Sequence, residues 1–96
     1  MSYSVTYTTT KPANVLWFKD VKPGTVKAIN DWTATASGLI SVSKDSVTST
    51  TLIKTYIFDS EQSYNAYNTA KDSNPNVAAR RLYNDQNGIT TSARKS

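Results

Sequence analysis

The sequence predicts a two-layer α+β domain in which helices cover one face of a four-stranded antiparallel sheet. Three observations lead to this prediction. Apolar and hydroxyl residues alternate at the start of the chain, apolar residues recur at helical spacing over 26–36, and strand-like runs return after residue 38. The chain has 96 residues, enough for one hydrophobic core, and contains no repeat or linker. We expect one domain over 1–91 and a flexible basic tail over 92–96.

The first strand and the first helix differ in the period of their apolar residues. Tyr3–Tyr7 alternates apolar residues with serine and threonine, which is typical of a strand with one buried face. From Val26 to Ala36 the apolar residues recur every three or four positions, as on one side of a helix. Thr25 is the predicted N-cap of this helix, and Gly38 is suited to end it in a left-handed conformation.

Two further strands are predicted to form a hairpin. Leu39–Ser43 is a short alternating segment, and a longer run from Val47 to Phe58 is rich in threonine and β-branched residues. Near its end this third strand is apolar on both faces, which is typical of a strand at the centre of a sheet. The short apolar run Val15–Phe18 fits either a strand end or a segment packed beneath a loop.

The second helical region is predicted to be split in two. Asp59 and Gln62 resemble a capping box at its start. Asn74 and Pro75 have the residue types preferred at the N-cap and first position of a new helix. In that helix the predicted buried face comprises Ala78, Ala79, Leu82 and Tyr83, while Arg80 and Arg81 point away from it. Ile89–Thr91 is predicted as a short last strand.

The resulting element order, βαββαβ, is that of a ferredoxin-like sandwich. With both helical regions on one face, the other face of the sheet is bare, and apolar groups there would mark an interface. We assign Tyr56 and Phe58 to that face. A homodimer that packs sheet against sheet would bury the bare face of both copies at once, because a two-fold axis brings the same patch of each copy into contact.

Composition narrows the functional classes. The chain has no cysteine and no histidine, which removes thiolate catalysis, histidine bases and the commonest transition-metal ligands. We predict no metal and no cofactor, and we lean against an enzyme. We also expect no membrane span and a cytoplasmic location, because the longest apolar runs are far too short to cross a bilayer. Ser and Thr together number 26, a usage also found in small tailed-bacteriophage proteins.

One segment carries a resemblance to a known class. Thr51–Tyr67, TLIKTYIFDSEQSYNAY, resembles the third-strand-to-second-helix segment of dimeric α+β barrel proteins, the class that contains antibiotic-biosynthesis-type monooxygenases. Those proteins run an apolar strand into a short acidic or hydroxyl cap and then into an aromatic-Ala-aromatic helix. The resemblance covers residues 26–72 and implies the fold and dimerisation. It carries over no active-site residue, because no family motif is matched.

Two groups of residues are candidates for binding. Tyr7, Trp17 and Tyr56 could line an apolar pocket between sheet and helices, with the alternative that they are core residues. Arg80 and Arg81 could clamp a phosphate or carboxylate, with the alternative of a solvated helix face.

The leading functional interpretation is a homodimerising interaction or accessory module, possible for a phage or a bacterium, with an unidentified small-molecule ligand. One alternative is a cofactor-free oxygenase-like or small-molecule-binding dimeric barrel. The other is a weak nucleic-acid binder that uses the basic C-terminal end. It is disfavoured because the third strand has no glycine and only one basic residue beside the alternating Tyr56 and Phe58, whereas an RNA-binding sheet combines all three features.

Overall fold

The structure is a computed structural model that describes residues 2–46 and 48–96, with nothing stated for the side chain of Ser46. Within these residues the chain forms four strands and four helices. They are β1 (Tyr3–Thr10), α1 (Phe18–Val21), α2 (Pro23–Thr33), β2 (Leu39–Ser46), β3 (Thr51–Phe58), α3 (Glu61–Lys71), α4 (Pro75–Gln86) and β4 (Thr90–Lys95). The short apolar run Val15–Phe18 is not a strand; it leads into α1.

The four strands form one antiparallel sheet in the order β2-β3-β1-β4. The predicted fold class is confirmed: helices cover one face of a four-stranded antiparallel sheet. β3 is central, as its apolar character predicts. The prediction began this strand at Val47, which lies outside the described residues; the strand itself begins at Thr51. A register shift between Leu39 and Ser41 leaves Ile40 as a bulge in the edge strand β2.

The hydrophobic core lies between the sheet and the helices and is mostly aromatic. Phe58 is fully buried and Tyr56 nearly so, packed against Val5 of β1 and against Tyr64 and Tyr67 of α3. The assignment of Tyr56 and Phe58 to a dimer face is therefore wrong. The side-chain period of a strand is two, and these residues share the side of Val5, which α3 covers.

The opposite face of the sheet, here called the outer face, is rich in hydroxyl groups. Ile53 and Ile57 of β3 lie at its centre and are half-buried. Thr6 and Thr55 lie beside them and share a hydrogen bond of 3.2 Å. By strand register the outer face also carries Ser4, Thr8, Thr10, Ser41, Ser43, Thr51, Thr90 and Ser92.

Two helix starts differ from the predicted ones. α2 begins at Pro23 rather than after Thr25, because proline at the first position lacks an N–H group that would otherwise be unsatisfied. α3 is capped by Ser60, whose Oγ accepts from the Ser63 N–H at 3.2 Å. Asp59 accepts instead from the Ser63 hydroxyl. The predicted start of α4 is confirmed, since Asn74 Oδ1 accepts from two N–H groups of its first turn.

The C-terminal residues form a strand rather than a flexible tail. β4 continues to Lys95 and pairs along β1, with Lys95 opposite Val5. Ser96 also exchanges two backbone hydrogen bonds of 2.9 Å with Ser4. All side chains of β4 are exposed, so its sequence lacks the alternation that marks a half-buried strand. Backbone hydrogen bonds to β1 hold β4 in the sheet, although its side chains are not buried.

Candidate ligand-binding site

A pocket of about 860 Å³ lies between the sheet and the four helices, with α3 contributing only through its second half. This volume is within the roughly 300–1,000 Å³ typical of small-molecule sites. Phe18 of α1 is buried at one side, with its ring 5.3 Å from that of Tyr83. The Tyr83 hydroxyl donates to the Leu16 carbonyl at 2.6 Å. These two contacts fasten the segment before α1 to α4, so the wall of the pocket is held in place.

The three residues predicted to line a pocket all do so. Tyr7 of β1 and Tyr56 of β3 form part of its floor, with ring centroids 5.4 Å apart and planes nearly perpendicular. Trp17 lies at the rim immediately before α1 and is half-buried. Tyr67 of α3 continues the aromatic surface, 6.0 Å from Tyr56. Tyr56 is thus both a core residue and part of the pocket wall.

Six cationic residues of the described chain line the pocket, and four of them, Lys19, Lys54, Lys71 and Arg80, are half-buried. Lys54 comes from β3, Lys71 from the last turn of α3 and Arg80 from α4. Burial and the nearby Arg80 guanidinium lower the pKa of Lys54. Burial, with Arg80 and Arg81 as lesser causes, lowers the pKa of Lys71 to about 8. Both shifts mean that bringing three positive charges together here is unfavourable without an anion.

The inward position of Arg80 reverses the predicted face of α4. The prediction placed the alanines and Leu82 inside and the arginines outside. In the structure Leu82 is 58% exposed, and Val77, which is buried, shares the pocket side with Arg80, Arg81 and Asn84. These four residues have the spacing of one helix face. α4 lies at the edge of the pocket, where long arginine stems fill space that alanine is too small to fill.

Negative charge is scarce around these cations. Among the described residues that line the pocket, none is acidic. Arg81 is paired with Asp72 at 2.9 Å, but both side chains are largely exposed. In the described part of the chain Arg80 is in no salt bridge. The guanidinium of Arg80 is therefore free to bind a carboxylate, phenolate or phosphate.

Lys71 is held by aromatic groups. Its Nζ donates to the Tyr7 hydroxyl at 3.3 Å and lies 4.8 Å from the centroid of the same ring. The Tyr7 hydroxyl shares a second hydrogen bond, of 3.0 Å, with that of Tyr64. Burial, followed by the hydrogen bond to Tyr64, raises the pKa of Tyr7, and burial raises the pKa of Tyr67 to about 12. These phenols stay protonated at neutral pH.

The sequence analysis missed Lys54 and Lys71, although the sequence contains a signal for each. Lys54 precedes Tyr56 by two residues, so the two share a side of β3. Lys71 follows Tyr64 by seven residues and Tyr67 by four, the spacing of one helix face. A lysine at the end of an aromatic helix stripe is therefore directed toward the same space as the aromatic residues.

The fold and the pocket define a ferredoxin-like α+β domain with an aromatic, cationic cavity between sheet and helices. No family model and no curated relative matches the chain. Solved structures of the same fold do match. A mutant of SnoaB, a cofactor-independent oxygenase from Streptomyces nogalater, aligns with a TM-score of 0.67 at 5% identity, covering 99% of this chain and 90% of that one.

Two further structures bear on the class. A monooxygenase from the gene ActVA-Orf6 of Streptomyces coelicolor, in complex with the ligand nanaomycin D, gives a TM-score of 0.63 at 16% identity, covering 98% and 86%. A dimeric ferredoxin-like protein from an uncultured marine organism gives 0.66 at 15% identity, covering 100% and 96%. The resemblance to dimeric α+β barrel proteins is confirmed for the fold. In the described residues no helix is long and apolar enough to cross a membrane.

Proposed function

We propose that this protein binds an anionic, aromatic small molecule in the pocket between its sheet and helices. The observation that carries the proposal is the cluster of Lys54, Lys71 and Arg80 over an aromatic floor, with no acidic residue among the described lining residues. Tyrosine faces favour a planar ring, and the unpaired Arg80 favours a carboxylate or phenolate. This function is a more specific form of the small-molecule-binding alternative.

The energetics of the site favour an occupant of this kind. The lowered pKa values of Lys54 and Lys71 report unfavourable burial and mutual repulsion of positive charge. An anion would reverse the repulsive part, so binding and protonation of these lysines would reinforce each other. A neutral ring of the same shape would gain only the apolar contacts. Charge, rather than size, is therefore expected to dominate selectivity.

The test is a titration with three ligands that share one naphthalene ring isomer: naphthoate, naphthylmethanol and naphthylmethylamine. We expect naphthoate to bind most tightly by calorimetry and the amine not to bind detectably. Arg80→Met should weaken naphthoate binding by about ten- to a hundredfold, because one charge-assisted hydrogen bond contributes about 1.5–3 kcal/mol. Arg94→Met removes the same charge from the outer face and should change the affinity by less than about twofold.

Two results would contradict the proposal. One is equal binding of naphthoate and naphthylmethanol, which would remove the role of charge. The other is an equal loss in Arg80→Met and Arg94→Met, which would mean a general electrostatic effect rather than a site.

Oxygenation of the bound ring is a second candidate function. It is favoured by Lys71, whose pKa near 8 suits an amine that accepts a proton from a phenol at neutral pH. Two structural neighbours, an oxygenase and a monooxygenase, support the same candidate function. Repeating the titration in an oxygen electrode with a dihydroxynaphthoate separates the two functions. Oxygen uptake that is lost in Arg80→Met would support turnover, and no uptake would leave binding alone.

We further propose that the protein is a homodimer formed through the outer face. One structural neighbour is a dimeric ferredoxin-like protein that aligns over the whole of this chain. Ile53 and Ile57 lie at the centre of the face among small hydroxyl residues, which allow close approach. Asp45 is on the β2 edge and Arg94 on the β4 edge. A two-fold axis parallel to the strands would bring the β2 edge of one copy over the β4 edge of the other, with Asp45 and Arg94 two residues apart along the strands.

Light scattering on a sizing column tests the dimer. The wild-type protein should have the mass of two chains, and Ile53→Asp should reduce it to one, because a buried unpaired charge is strongly unfavourable. Thr8→Glu, opposite Ile53 in register, provides a second variant if Ile53→Asp folds poorly. Leu82→Asp, on the exposed side of α4, should remain dimeric. A monomeric wild type, or dissociation by Leu82→Asp alone, would overturn the outer-face interface.

A further inference from the structure

Among the lysines of the pocket, Lys71 is in surroundings that favour a nucleophilic amine. Its Nζ lies over the rings of Tyr7 and Tyr67, at 4.8 and 5.6 Å from their centroids. The neighbouring carboxylate of Asp72 is paired with Arg81 at 2.9 Å and makes no salt bridge to Lys71. Burial and further cations make this amine lose its proton more readily than an exposed lysine, and this outweighs the preference of the ring faces for the charged form.

The charged and titratable groups around Lys71 come from four elements and are mostly positive. Among the charged groups only Asp72 opposes the loss of the proton, and the ring faces of Tyr7 and Tyr67 act in the same direction. The set is Tyr7 of β1, Asp72 just after α3, Arg80 and Arg81 of α4, and Lys95 of β4. With a pKa of about 8, a substantial fraction of Lys71 is the neutral, nucleophilic amine near neutral pH, whereas an ordinary lysine is almost wholly protonated.

We infer that Lys71 forms an imine with an aromatic aldehyde or ketone that carries an anionic group and occupies the pocket. This inference rests on the proposed function, since the same pocket must first hold the anionic ring. Arg80 would hold the anion, the tyrosine faces would hold the ring, and the carbonyl carbon would then lie against Nζ.

The chemistry balances without any redox partner. The lone pair of the neutral Lys71 amine forms a bond to the carbonyl carbon, and the carbonyl π electrons move to oxygen, which takes up a proton. The resulting carbinolamine loses that oxygen as water and forms the carbon–nitrogen double bond. The two protons that the Lys71 nitrogen loses are the two that the departing water carries, and they can be exchanged through solvent in the open pocket. The Tyr7 hydroxyl, 3.3 Å from Nζ, is placed to hold the nitrogen by a hydrogen bond.

Lys54 provides the matched comparison. It also lines the pocket and has a lowered pKa, but its Nζ donates to the amide oxygen of Asn30 at 3.4 Å and contacts no phenol hydroxyl among the hydrogen bonds of the described residues. Lys22 and Lys27 are exposed lysines outside the pocket. Selective reaction at Lys71 therefore distinguishes this arrangement from the general reactivity of lysine side chains.

The experiment uses para-formylbenzoate as the probe and cyanoborohydride to trap the imine as a stable secondary amine, followed by peptide mapping. We expect the adduct at Lys71 to exceed that at Lys22 or Lys27 by about ten- to a hundredfold, in line with the larger neutral fraction of its amine. Lys71→Arg keeps the charge but cannot form an imine, and should abolish the selective adduct. Lys54→Arg should retain it.

A non-reactive analogue separates failure of the inference from failure of the proposed function. Para-hydroxymethylbenzoate has the same ring and anion but no carbonyl, and it should compete with the aldehyde. If the analogue binds but the trapped adduct is spread evenly over the lysines, the imine inference is overturned and the binding function stands. If neither compound binds, both the imine inference and the proposed binding function are overturned. Mapping of the wild-type protein decides this outcome even if a variant folds poorly.

Discussion

Phe58→Ala is expected to lower the free energy of unfolding by about 3–5 kcal/mol, the range for deleting a buried aromatic side chain. Phe58 is fully buried, and its ring lies 5.6 Å from that of Tyr64 and 5.5 Å from that of Tyr67. The substitution leaves a cavity between β3 and α3, which the central strand cannot close. Since small domains have only about 5–15 kcal/mol of stability, a large unfolded fraction is expected.

Urea unfolding followed by tryptophan fluorescence measures this effect, because Trp32 stacks on Tyr67 within the same core, at 5.4 Å. Phe58→Leu keeps most of the apolar volume and should lose much less stability. Leu82→Ala, at a residue 58% exposed, should shift the stability by no more than about 0.5 kcal/mol. A Phe58→Ala midpoint close to that of Leu82→Ala would mean that the aromatic core is not where the stability lies.

Gly38→Ala is expected to destabilise the protein by about 2–4 kcal/mol, from left-handed backbone strain of about 1–2 kcal/mol together with overpacking. Gly38 has φ of +83°, and an added Cβ would lie 2.7 Å from the Ser63 Cβ. It would also crowd the carboxylate of Asp59, whose N–H donates to the Gly38 carbonyl at 2.8 Å. The substitution therefore acts on the capped start of α3 as well as on the end of the α2–β2 connection.

The other two glycines separate strain from crowding. Gly88 also has positive φ, +70°, but its nearest neighbour would be Pro12 Cγ at 3.6 Å, so Gly88→Ala should show strain alone, about 1–2 kcal/mol. Gly24 is in the first turn of α2 with nothing within 4 Å, and Gly24→Ala should be neutral or stabilising by up to about 1 kcal/mol. If Gly38→Ala and Gly88→Ala lowered the free energy of unfolding equally, the role of crowding at Gly38 would be contradicted.

Part of the candidate site could be predicted from local patterns. Tyr7 lies on β1 and Tyr56 lies on β3. The ferredoxin-like order places β1 beside β3, so the proximity of the two tyrosines follows from the topology. Trp17 followed less directly, from its place in a short apolar run that fits either a strand end or a segment packed beneath a loop. The three cations could not be found as a group, because Lys54, Lys71 and Arg80 belong to three elements that only the packed fold brings together.

The main errors of the sequence analysis concerned which side of a helix or strand faces the core. For α4, counting apolar residues favoured Ala78, Ala79, Leu82 and Tyr83. Tyr83 does pack against Phe18, but Leu82 is exposed, Val77 is the buried residue, and the arginines line the pocket. For β3, both faces are apolar by sequence, so period two alone does not decide which face the helices cover. The assignment of Tyr56 to a dimer face had this cause.

By itself the sequence determined the element order, the split between α3 and α4 at Asn74-Pro75, the central place of β3 and the mixed α+β class. These features depend on local signals: side-chain period, caps and turn residues, each read within a few positions. Only the tertiary structure decided that β4 extends to Lys95, that Phe58 is core and that Arg80 faces the pocket. Each of those depends on partners distant in sequence, since burial and charge proximity belong to the packed molecule rather than to any one segment.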